Sequence, residues 1–173
     1  MGSIAPFIII VISAFAWAGP VTKGLVQQWI FTPEYFELEH ARALDGGMDI
    51  DVAGPIQFDD MPAALRLDGS ANRLLITEEL ESARLPRRDF TAEAWVKVNV
   101  PQDWGGLIGA LRDNGPEETG LLLGFRGDRF CFALSTKGAD DGNGRLTYLT
   151  AAKPFAGGEW HHVAATYDGK EMR

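Results

Sequence analysis

The sequence contains only one cysteine, Cys131, and an internal disulfide is therefore impossible. Cys131 lies in the segment RFCFALS, where apolar residues at alternate positions indicate a strand. A free cysteine in such a strand behaves as a small buried hydrophobic residue. A nucleophilic cysteine would need an exposed position and a neighbouring base, and the sequence indicates neither. We therefore predict a structural role for Cys131.

Basic residues are also scarce, with 16 Lys and Arg against 24 Asp and Glu, and the formal net charge is -8 at pH 7. Binding to a phosphate backbone requires clustered Lys and Arg, and no such cluster is present. We therefore predict that nucleic acid is not a partner. A solvated acidic surface accounts for this charge most simply, and a surface that uses calcium is the alternative.

The apolar run at residues 4–18 is too short to span a bilayer comfortably, because a transmembrane helix needs roughly 20 apolar residues. The run ends in an A-x-A pattern at residues 16–18, which is typical of a signal-peptide cleavage site. We predict that residues 1–18 are a signal peptide and that residues 19–173 form one domain, secreted or held in the periplasm or at the cell surface. A retained anchor is the alternative, because no Lys or Arg precedes the apolar run.

Long amphipathic helices do not alternate with strands in this sequence, which excludes a Rossmann or TIM-type fold. Short alternating segments instead predict strands at the spacing of an antiparallel sandwich. The predicted strands are residues 24–31, 48–58, 64–67, 73–77, 90–100, 107–111, 120–126, 129–135, 146–151 and 160–167. Residues 32–47 are predicted to be a loop or one short helix, and residues 78–86 a charged loop.

The last predicted strand presents two faces at a period of two, with Trp160 and His162 on one and His161 and Val163 on the other. From this pattern we expect Trp160 to be buried, so that truncation to alanine would cost roughly 3 to 5 kcal/mol. His161 and His162 point to opposite faces, and they therefore cannot chelate one metal ion in the usual way.

Three segments carry a family resemblance: residues 64–77 (ALRLDGSANRLLIT), residues 90–97 (FTAEAWVK) and residues 160–169 (WHHVAATYDG). They resemble the laminin-G-like, concanavalin A-type domains. The resemblance implies an all-β, antiparallel jelly-roll sandwich, a tight turn at Asp68 and Gly69, and a structural position for His162. Such domains continue with a further strand after the second Asp-Gly turn, so the resemblance also implies that the last strands of the fold lie beyond Arg173.

Hydrolases that resemble this fold use two carboxylates, because retaining chemistry needs carboxyl groups about 5 Å apart. Related laminarinase-type enzymes carry them in a Glu-x-Asp-x-x-Glu or similar run. The nearest runs here, residues 49–51 and 78–81, lack that pattern, and Glu93 stands alone on its strand face. We therefore predict that this chain is not an enzyme.

A calcium ion is the one cofactor that the sequence suggests. Asp140, Asp141 and Asn143 in the segment GADDGNG supply the oxygen ligands that a hard cation prefers. Laminin-G-like domains often bind calcium at the rim of the sandwich, and Asp68 with Asn72 is a second candidate pair. The alternative is that these residues simply form turns.

Two tryptophans are candidates for an aromatic surface that binds sugar. Trp95 shares a strand face with Glu93 and Lys97, and Trp104 lies on an adjoining loop in PQDWGG. Both aromatic residues could instead belong to the core. Since laminin-G-like domains resemble non-catalytic modules, we expect recognition of extracellular carbohydrate or protein. The alternatives are an N-terminal accessory domain of a larger exported hydrolase, and a structural spacer without a ligand.

Overall fold

The computed structural model describes residues 5–6, 26–44, 47–79, 89–115, 117–135 and 145–173. The described residues form antiparallel strands and one 3-10 turn at Pro33–Tyr35. The strands are β1 (Ala5–Pro6), β2 (Phe36–Glu37), β3 (His40–Ala41), β4 (Ile50–Ala53), β5 (Gln57–Asp60), β6 (Ala63–Arg66), β7 (Arg73–Leu75), β8 (Asp89–Lys97), β9 (Gly105–Asp113), β10 (Glu118–Arg126), β11 (Arg129–Leu134), β12 (Thr147–Thr150) and β13 (Trp160–Asp168). The predicted all-β, antiparallel fold is confirmed.

None of the described segments forms a helix with the length and apolar character that crossing a bilayer requires. Most of the predicted signal peptide, residues 1–4 and 7–18, lies outside the described residues. Ala5 and Pro6 form β1, which pairs with Leu111 and Ala110 of β9. The signal peptide therefore stays a prediction.

The chain divides into two compact units, of which one contains the described residues from Val26 to Glu79. In this unit β2, β3, β4 and β7 form a four-stranded sheet in that order, and β5 pairs with β6. Its largest fully buried side chains are Trp29, Phe31, Ile50 and Leu74. A strand was predicted over residues 24–31, but the described part of this range contains only a bridge from Trp29 to Ala43. The prediction of a strand is wrong there, and Trp29 is nevertheless buried in the core of this unit.

The tight turn predicted at Asp68 and Gly69 is present. Oδ1 of Asp68 accepts hydrogen bonds from the backbone N–H groups of Ser70, Ala71 and Asn72, at 2.8, 2.8 and 3.2 Å. These bonds stabilise the carboxylate, and they hold the pKa of Asp68 below its usual value. Asp68 is therefore the cap of the turn that joins β6 to β7.

The other unit contains β1 and β8 to β13 and is built from two sheets. A five-stranded sheet has the order β1-β9-β10-β11-β12, and β8 pairs with β13 in a two-stranded sheet. One core cluster draws side chains from both sheets, which places it between them as in a sandwich. Its buried members are Ala94, Val96, Val98, Leu107, Ile108, Leu123, Phe125, Phe132, Leu134, Phe155, Val163, Ala165 and Tyr167.

Strand β8 alternates as its sequence indicates, with Ala94 and Val96 on the core side. In β13, Val163 and Ala165 face the same core. Because side chains alternate along a strand, Trp160 lies on the opposite face and is only half-buried. The prediction that Trp160 is buried in the core is therefore wrong, because the core face of β13 carries Val163, Ala165 and Tyr167 and not Trp160.

A second Asp-Gly turn follows β13, as predicted. Oδ1 of Asp168 accepts hydrogen bonds from the backbone N–H groups of Lys170 and Glu171, at 3.0 and 2.9 Å. These two bonds, together with the Arg173 guanidinium, hold the pKa of Asp168 below its usual value. After the turn, Arg173 exchanges backbone hydrogen bonds with Thr166, so the chain pairs back along β13.

Candidate functional site

The five-stranded sheet has a second face, turned away from the core cluster. Along β10, Leu121, Leu123 and Phe125 pack against the core, and the intervening side chains therefore project from the opposite face. An open pocket of about 360 Å³ lies on that face. We call it the sheet pocket, and it is lined by Trp104, Glu118, Arg126, Cys131, Arg145, Leu146, Tyr148 and Thr150.

The register of the sheet brings these side chains together. Glu118 and Arg126 lie at the two ends of β10, and Cys131 of β11 pairs with Thr150 of β12. Trp104 immediately precedes β9, which pairs with residues Glu118 to Phe125 of β10, with one register shift between Leu123 and Gly124. The lining residues thus come from four neighbouring segments that a sheet sets about 4.8 Å apart.

Two glycines lie beside Trp104, one at the beginning of β9 and the other near the end of β10. A Cβ atom at Gly105 would overlap the ring of Phe125, which belongs to the core cluster. A Cβ atom at Gly124 would overlap the carbonyl oxygen of Gly105. The close approach of β9 and β10 therefore depends on the absence of side chains at Gly105 and Gly124. This approach determines the position of Trp104, the residue before β9.

An aromatic pair forms one wall of the sheet pocket. The ring centroids of Trp104 and Tyr148 lie 5.5 Å apart with an interplanar angle of 54°. The two side chains stay 46% and 41% exposed, so both offer ring surface to a ligand. The guanidinium carbon of Arg126 lies 4.9 Å from the centroid of the Trp104 ring, a cation–π distance. Arg126 thereby restricts the orientation of the indole.

Glu118 supplies a carboxylate to the same wall. Its Oε2 accepts hydrogen bonds from the hydroxyl of Tyr148 at 3.2 Å and from the backbone N–H of Leu146 at 3.3 Å. Partial burial and, second, the charge of Glu118 raise the pKa of Tyr148 to about 12. Tyr148 is therefore a neutral hydrogen-bond donor at physiological pH.

Cys131 lies at the base of the sheet pocket and is only 3% exposed. Burial raises the pKa of its thiol to about 11, against a smaller opposing effect of the Arg126 charge. The thiol is therefore protonated at physiological pH, whereas a nucleophilic cysteine would be a thiolate. The predicted buried position of Cys131 is confirmed.

Trp95 and Glu93 lie elsewhere, on the outward face of the two-stranded sheet. The Trp95 ring centroid is 5.2 Å from that of His162, and Nε2 of His162 is 3.5 Å from Oε2 of Glu93. On the same face, Nζ of Lys97 lies 5.7 Å from the Trp160 ring centroid. The structure does not bring Trp95 and Trp104 together, because they project from different sheets.

His161 and His162 do point to opposite faces, as predicted. Nε2 of His161 lies 2.9 Å from the backbone oxygen of Ala156, and its ring packs against Phe130 and Phe155 at centroid distances of 5.6 and 6.0 Å. This contact holds the segment before β13 against the core. His161 is thus a structural residue.

The predicted calcium ligands Asp140, Asp141 and Asn143 lie outside the described residues. The second candidate, Asp68 with Asn72, is used structurally: Oδ1 of Asp68 caps the turn, and Oδ1 of Asn72 accepts a hydrogen bond from the backbone N–H of Asp68 at 3.0 Å. Among the residues that the structure describes, no three or more His, Cys, Asp or Glu side chains converge on a position for a metal ion.

Sequence reasoning identified Trp104 but missed Glu118, Arg126 and Tyr148. The alternation along β10 could have indicated two of them, because Glu118 and Arg126 lie on the strand face opposite to Leu121, Leu123 and Phe125. Tyr148 gives no comparable signal. It lies on a short edge strand whose partner can be identified only from the fold.

Comparisons with known proteins agree with this architecture. A family model described as the concanavalin A-like lectin/glucanases superfamily matches residues 69–173. Pappalysin-1 of Mus musculus is 30% identical over 121 residues, which cover 64% of this chain and 7% of that protein. Pappalysin-1 of Homo sapiens is 28% identical over 121 residues, with the same coverage. The chain therefore matches only a small part of the length of these relatives. No solved structure matches it.

Proposed function

Because this chain belongs to the concanavalin A-like lectin/glucanases superfamily, whose fold is a jelly-roll sandwich, we propose that it is a non-catalytic module that binds carbohydrate in the sheet pocket. The observation that carries the proposal is the aromatic pair of Trp104 and Tyr148, which is exposed beside charged side chains. Family membership by itself does not specify a ligand, so the proposal depends on this site.

The chemistry of the pocket suits a sugar. The C–H faces of a pyranose ring are apolar and pack on aromatic rings, whereas its hydroxyl groups need donors and acceptors. Trp104 and Tyr148 would provide the packing surface. Glu118 and Thr150 would accept hydrogen bonds from hydroxyl groups, and the guanidinium of Arg126 would donate them. Both requirements are thus met within one pocket of about 360 Å³.

The small number of carboxylates in the sheet pocket supports binding without hydrolysis. Glycoside hydrolysis uses two acidic groups, one as acid and the other as nucleophile or base. Among the described residues that line the sheet pocket, Glu118 is the one carboxylate, and it already accepts bonds from Tyr148 and Leu146. We therefore propose that a bound glycan is retained and not cleaved.

We further propose that binding takes place outside the cytoplasm. The support is the apolar run at residues 4–18 with its A-x-A ending. N-terminal sequencing of the protein recovered from culture medium, periplasm or cell surface tests this proposal. A mature chain that begins at Gly19 would support export with cleavage. Recovery only from the cytoplasm with Met1 intact would contradict it.

The binding proposal is tested by calorimetric titration of the protein against a panel of polysaccharides, with two matched tryptophan variants. We expect Trp104→Ala to weaken binding by about tenfold or more, which corresponds to roughly 1.4 kcal/mol. Trp95→Ala is the control, because it removes an indole from the other sheet, and it should leave the affinity unchanged. Loss of binding in the Trp95 variant alone would place the ligand on the other sheet and refute the proposal.

If the titrations show binding heat with a protein ligand but with none of the glycans, the carbohydrate proposal is also refuted. Absence of heat with every glycan and protein tested, in a cooperatively folded sample, would favour the structural spacer.

Repeating the titrations with added calcium and then with a chelator would test the predicted role of Asp140, Asp141 and Asn143. A calcium-dependent affinity that the Asp141→Asn variant loses would support that role.

A second candidate is an accessory module of a larger exported hydrolase. The observation that favours it is that the matched region makes up only 7% of each pappalysin-1 chain, so a related segment occurs inside a much longer protein. Immunoblotting of the source cells with an antibody against this domain tests the candidate. A band far above the size of the 173-residue chain would support it, and a band at that size would exclude it.

A further inference from the structure

We propose that the sheet pocket binds one sugar residue, or at most two, of a soluble glycan chain, and that it does not bind the flat face of a crystalline polysaccharide. This inference rests on the proposed function, because it names the class of ligand for the same site. It goes further in predicting how the affinity depends on the length and the solubility of the glycan. The arrangement of Trp104 and Tyr148 carries it.

The planes of the Trp104 and Tyr148 rings are inclined to each other by 54°. A sugar ring gains most from an aromatic side chain when the two rings lie parallel, because the sugar C–H groups then meet the aromatic face. A flat row of sugar rings, such as the surface of a polysaccharide crystal, can be parallel to only one of two planes inclined in this way. The aromatic pair therefore does not offer a flat surface to several coplanar sugar rings.

The two aromatic rings also lie too close together for two separate stacking positions. Their centroids are 5.5 Å apart, which is within the range of about 4.5 to 7 Å for aromatic rings that pack directly on each other. Trp104 and Tyr148 are therefore one bent surface and not two platforms with a gap between them. One sugar residue is enough to cover such a surface.

Arg126 covers one face of the Trp104 indole, because its guanidinium carbon lies over the ring at 4.9 Å from the centroid. A guanidinium group is planar and stacks on aromatic faces. A sugar ring can therefore stack only on the face of Trp104 that Arg126 leaves uncovered. The indole thus contributes one stacking position and not two.

The volume and the ends of the sheet pocket set the same limit. Its volume of about 360 Å³ is near the lower end of the range of about 300 to 1,000 Å³ for pockets that hold small molecules. Glu118 and Arg126 are the first and the last residue of β10, so a glycan that followed this strand would meet a long side chain at each end. The pocket therefore suits a short part of a glycan and not an extended chain.

Ladders of soluble oligosaccharides, from the monosaccharide to the hexasaccharide, test the length of the site. They are prepared from cellulose, laminarin, chitin and galactan, which differ in sugar and in linkage. In calorimetry the affinity should rise up to the disaccharide and then change by less than about tenfold up to the hexasaccharide, since a longer chain offers more positions but no further contacts. A rise of about tenfold or more over that interval would show a longer cleft and overturn the inference.

Mixing the protein with microcrystalline cellulose and with crystalline chitin tests the preference for soluble chains. The same sugars are present in the cellulose and chitin ladders, so only the physical form of the ligand differs. The protein should stay in solution in the presence of both solids. Retention on either solid that Trp104→Ala abolishes would overturn the inference.

The variants Trp104→Ala and Tyr148→Ala test whether all contacts are made with the same short part of the glycan. Each should weaken the binding of the disaccharide and of the hexasaccharide by equal factors, because both ligands use the same position. Trp95→Ala is the matched control, since it removes an indole from the other sheet and should leave every member of the ladder unaffected. A loss that is at least about tenfold greater for the disaccharide would show contacts outside the pocket and contradict the inference.

The failures of the two proposals are distinguishable. If a hexasaccharide or a crystalline polymer is preferred and Trp104→Ala abolishes its binding, the proposed function stands and the limit on ligand length is overturned. Absence of binding by every ladder and by the parent polysaccharides, in a cooperatively folded sample, overturns both proposals. The length series of the wild type gives this decision even if a variant fails to fold.

Discussion

The hydroxyl of Tyr148 lies 3.2 Å from Oε2 of Glu118, and this hydrogen bond connects the edge strand β12 to β10 across the intervening strand β11. The same carboxylate oxygen accepts the backbone N–H of Leu146, the residue before β12. Glu118 therefore holds the beginning of an exposed edge strand in place. It also fixes the ring of Tyr148 beside Trp104, and in this way one carboxylate links the stability of the edge to the geometry of the sheet pocket.

Replacing Tyr148 by Phe should separate these two effects. The change removes one long, exposed hydrogen bond but keeps the ring that faces Trp104. We expect the free energy of unfolding to fall by about 0.5 to 1.5 kcal/mol, the usual contribution of a hydrogen bond. Glycan affinity should change by less than about threefold. Chemical denaturation and calorimetry measure the two quantities, and Tyr148→Ala, which also removes the ring, should weaken binding more.

The pKa of Tyr148 predicts a loss of stability in alkali. Its folded value of about 12 lies above its usual value of 10.0, so the folded protein retains the phenolic proton after an unfolded chain has released it. The stabilisation is complete below pH 10 and is lost as the pH rises towards 12. The loss should be modest, since the side chain is 41% exposed and water screens part of the effect.

Denaturation of the wild type and of Tyr148→Phe at several pH values between 10 and 12 would measure this effect. The variant should lose less stability than the wild type over that interval. Glu118→Gln should lower the pKa of Tyr148 only in part, because burial is the larger cause. Identical pH profiles for the wild type and the Phe variant would contradict the assignment.

Trp160 should contribute less to stability than its size suggests. It is half-buried on the outward face of β13, whereas Tyr167 of the same strand is 5% exposed within the core cluster. We expect Trp160→Ala to cost about 1 to 2 kcal/mol and Tyr167→Ala about 3 to 5 kcal/mol. Urea denaturation of both variants gives the comparison. A larger cost for Trp160 than for Tyr167 would show that its outward face is covered more fully than the structure indicates.

Gly120 should tolerate no side chain. Its φ of 121° lies in the region that L residues avoid, and a Cβ atom there would overlap the carbonyl oxygen of Ala110 on β9. Gly127 is the matched control, since its φ of 56° is also positive but a Cβ atom would meet nothing within 4 Å. Gly127→Ala should cost about 1 kcal/mol, the conformational penalty by itself.

We expect Gly120→Ala to cost about 3 kcal/mol or more, because strand pairing must shift as well. Thermal melts of the two variants under the same conditions give the difference. Equal costs at both positions would mean that β9 and β10 separate easily, and the sheet pocket would then be less rigid than the pairing suggests.

Much of the fold could be predicted because strand patterns are local. The apolar faces of β8 and β10 follow from a period of two, and Asp168 with Gly169 indicates a turn that needs no distant partner. Trp160 was misassigned because alternation separates the two faces of a strand but does not tell which one is buried, and Val163 and Ala165 of the other face form the core. The candidate site was predicted in part, since Trp104 is recognisable as a loop aromatic but the residues that meet it are not.

The sequence by itself determined the all-β composition of this protein, the alternation of side chains along its strands, its Asp-Gly turns and its family. These properties depend on neighbours along the chain, and alternation and turn chemistry report them directly. Only the tertiary structure decided that Trp104, Glu118 and Tyr148 form one pocket and that Trp95 lies on another sheet. Their proximity depends on strand order and register, which arise when distant segments pair and share a core.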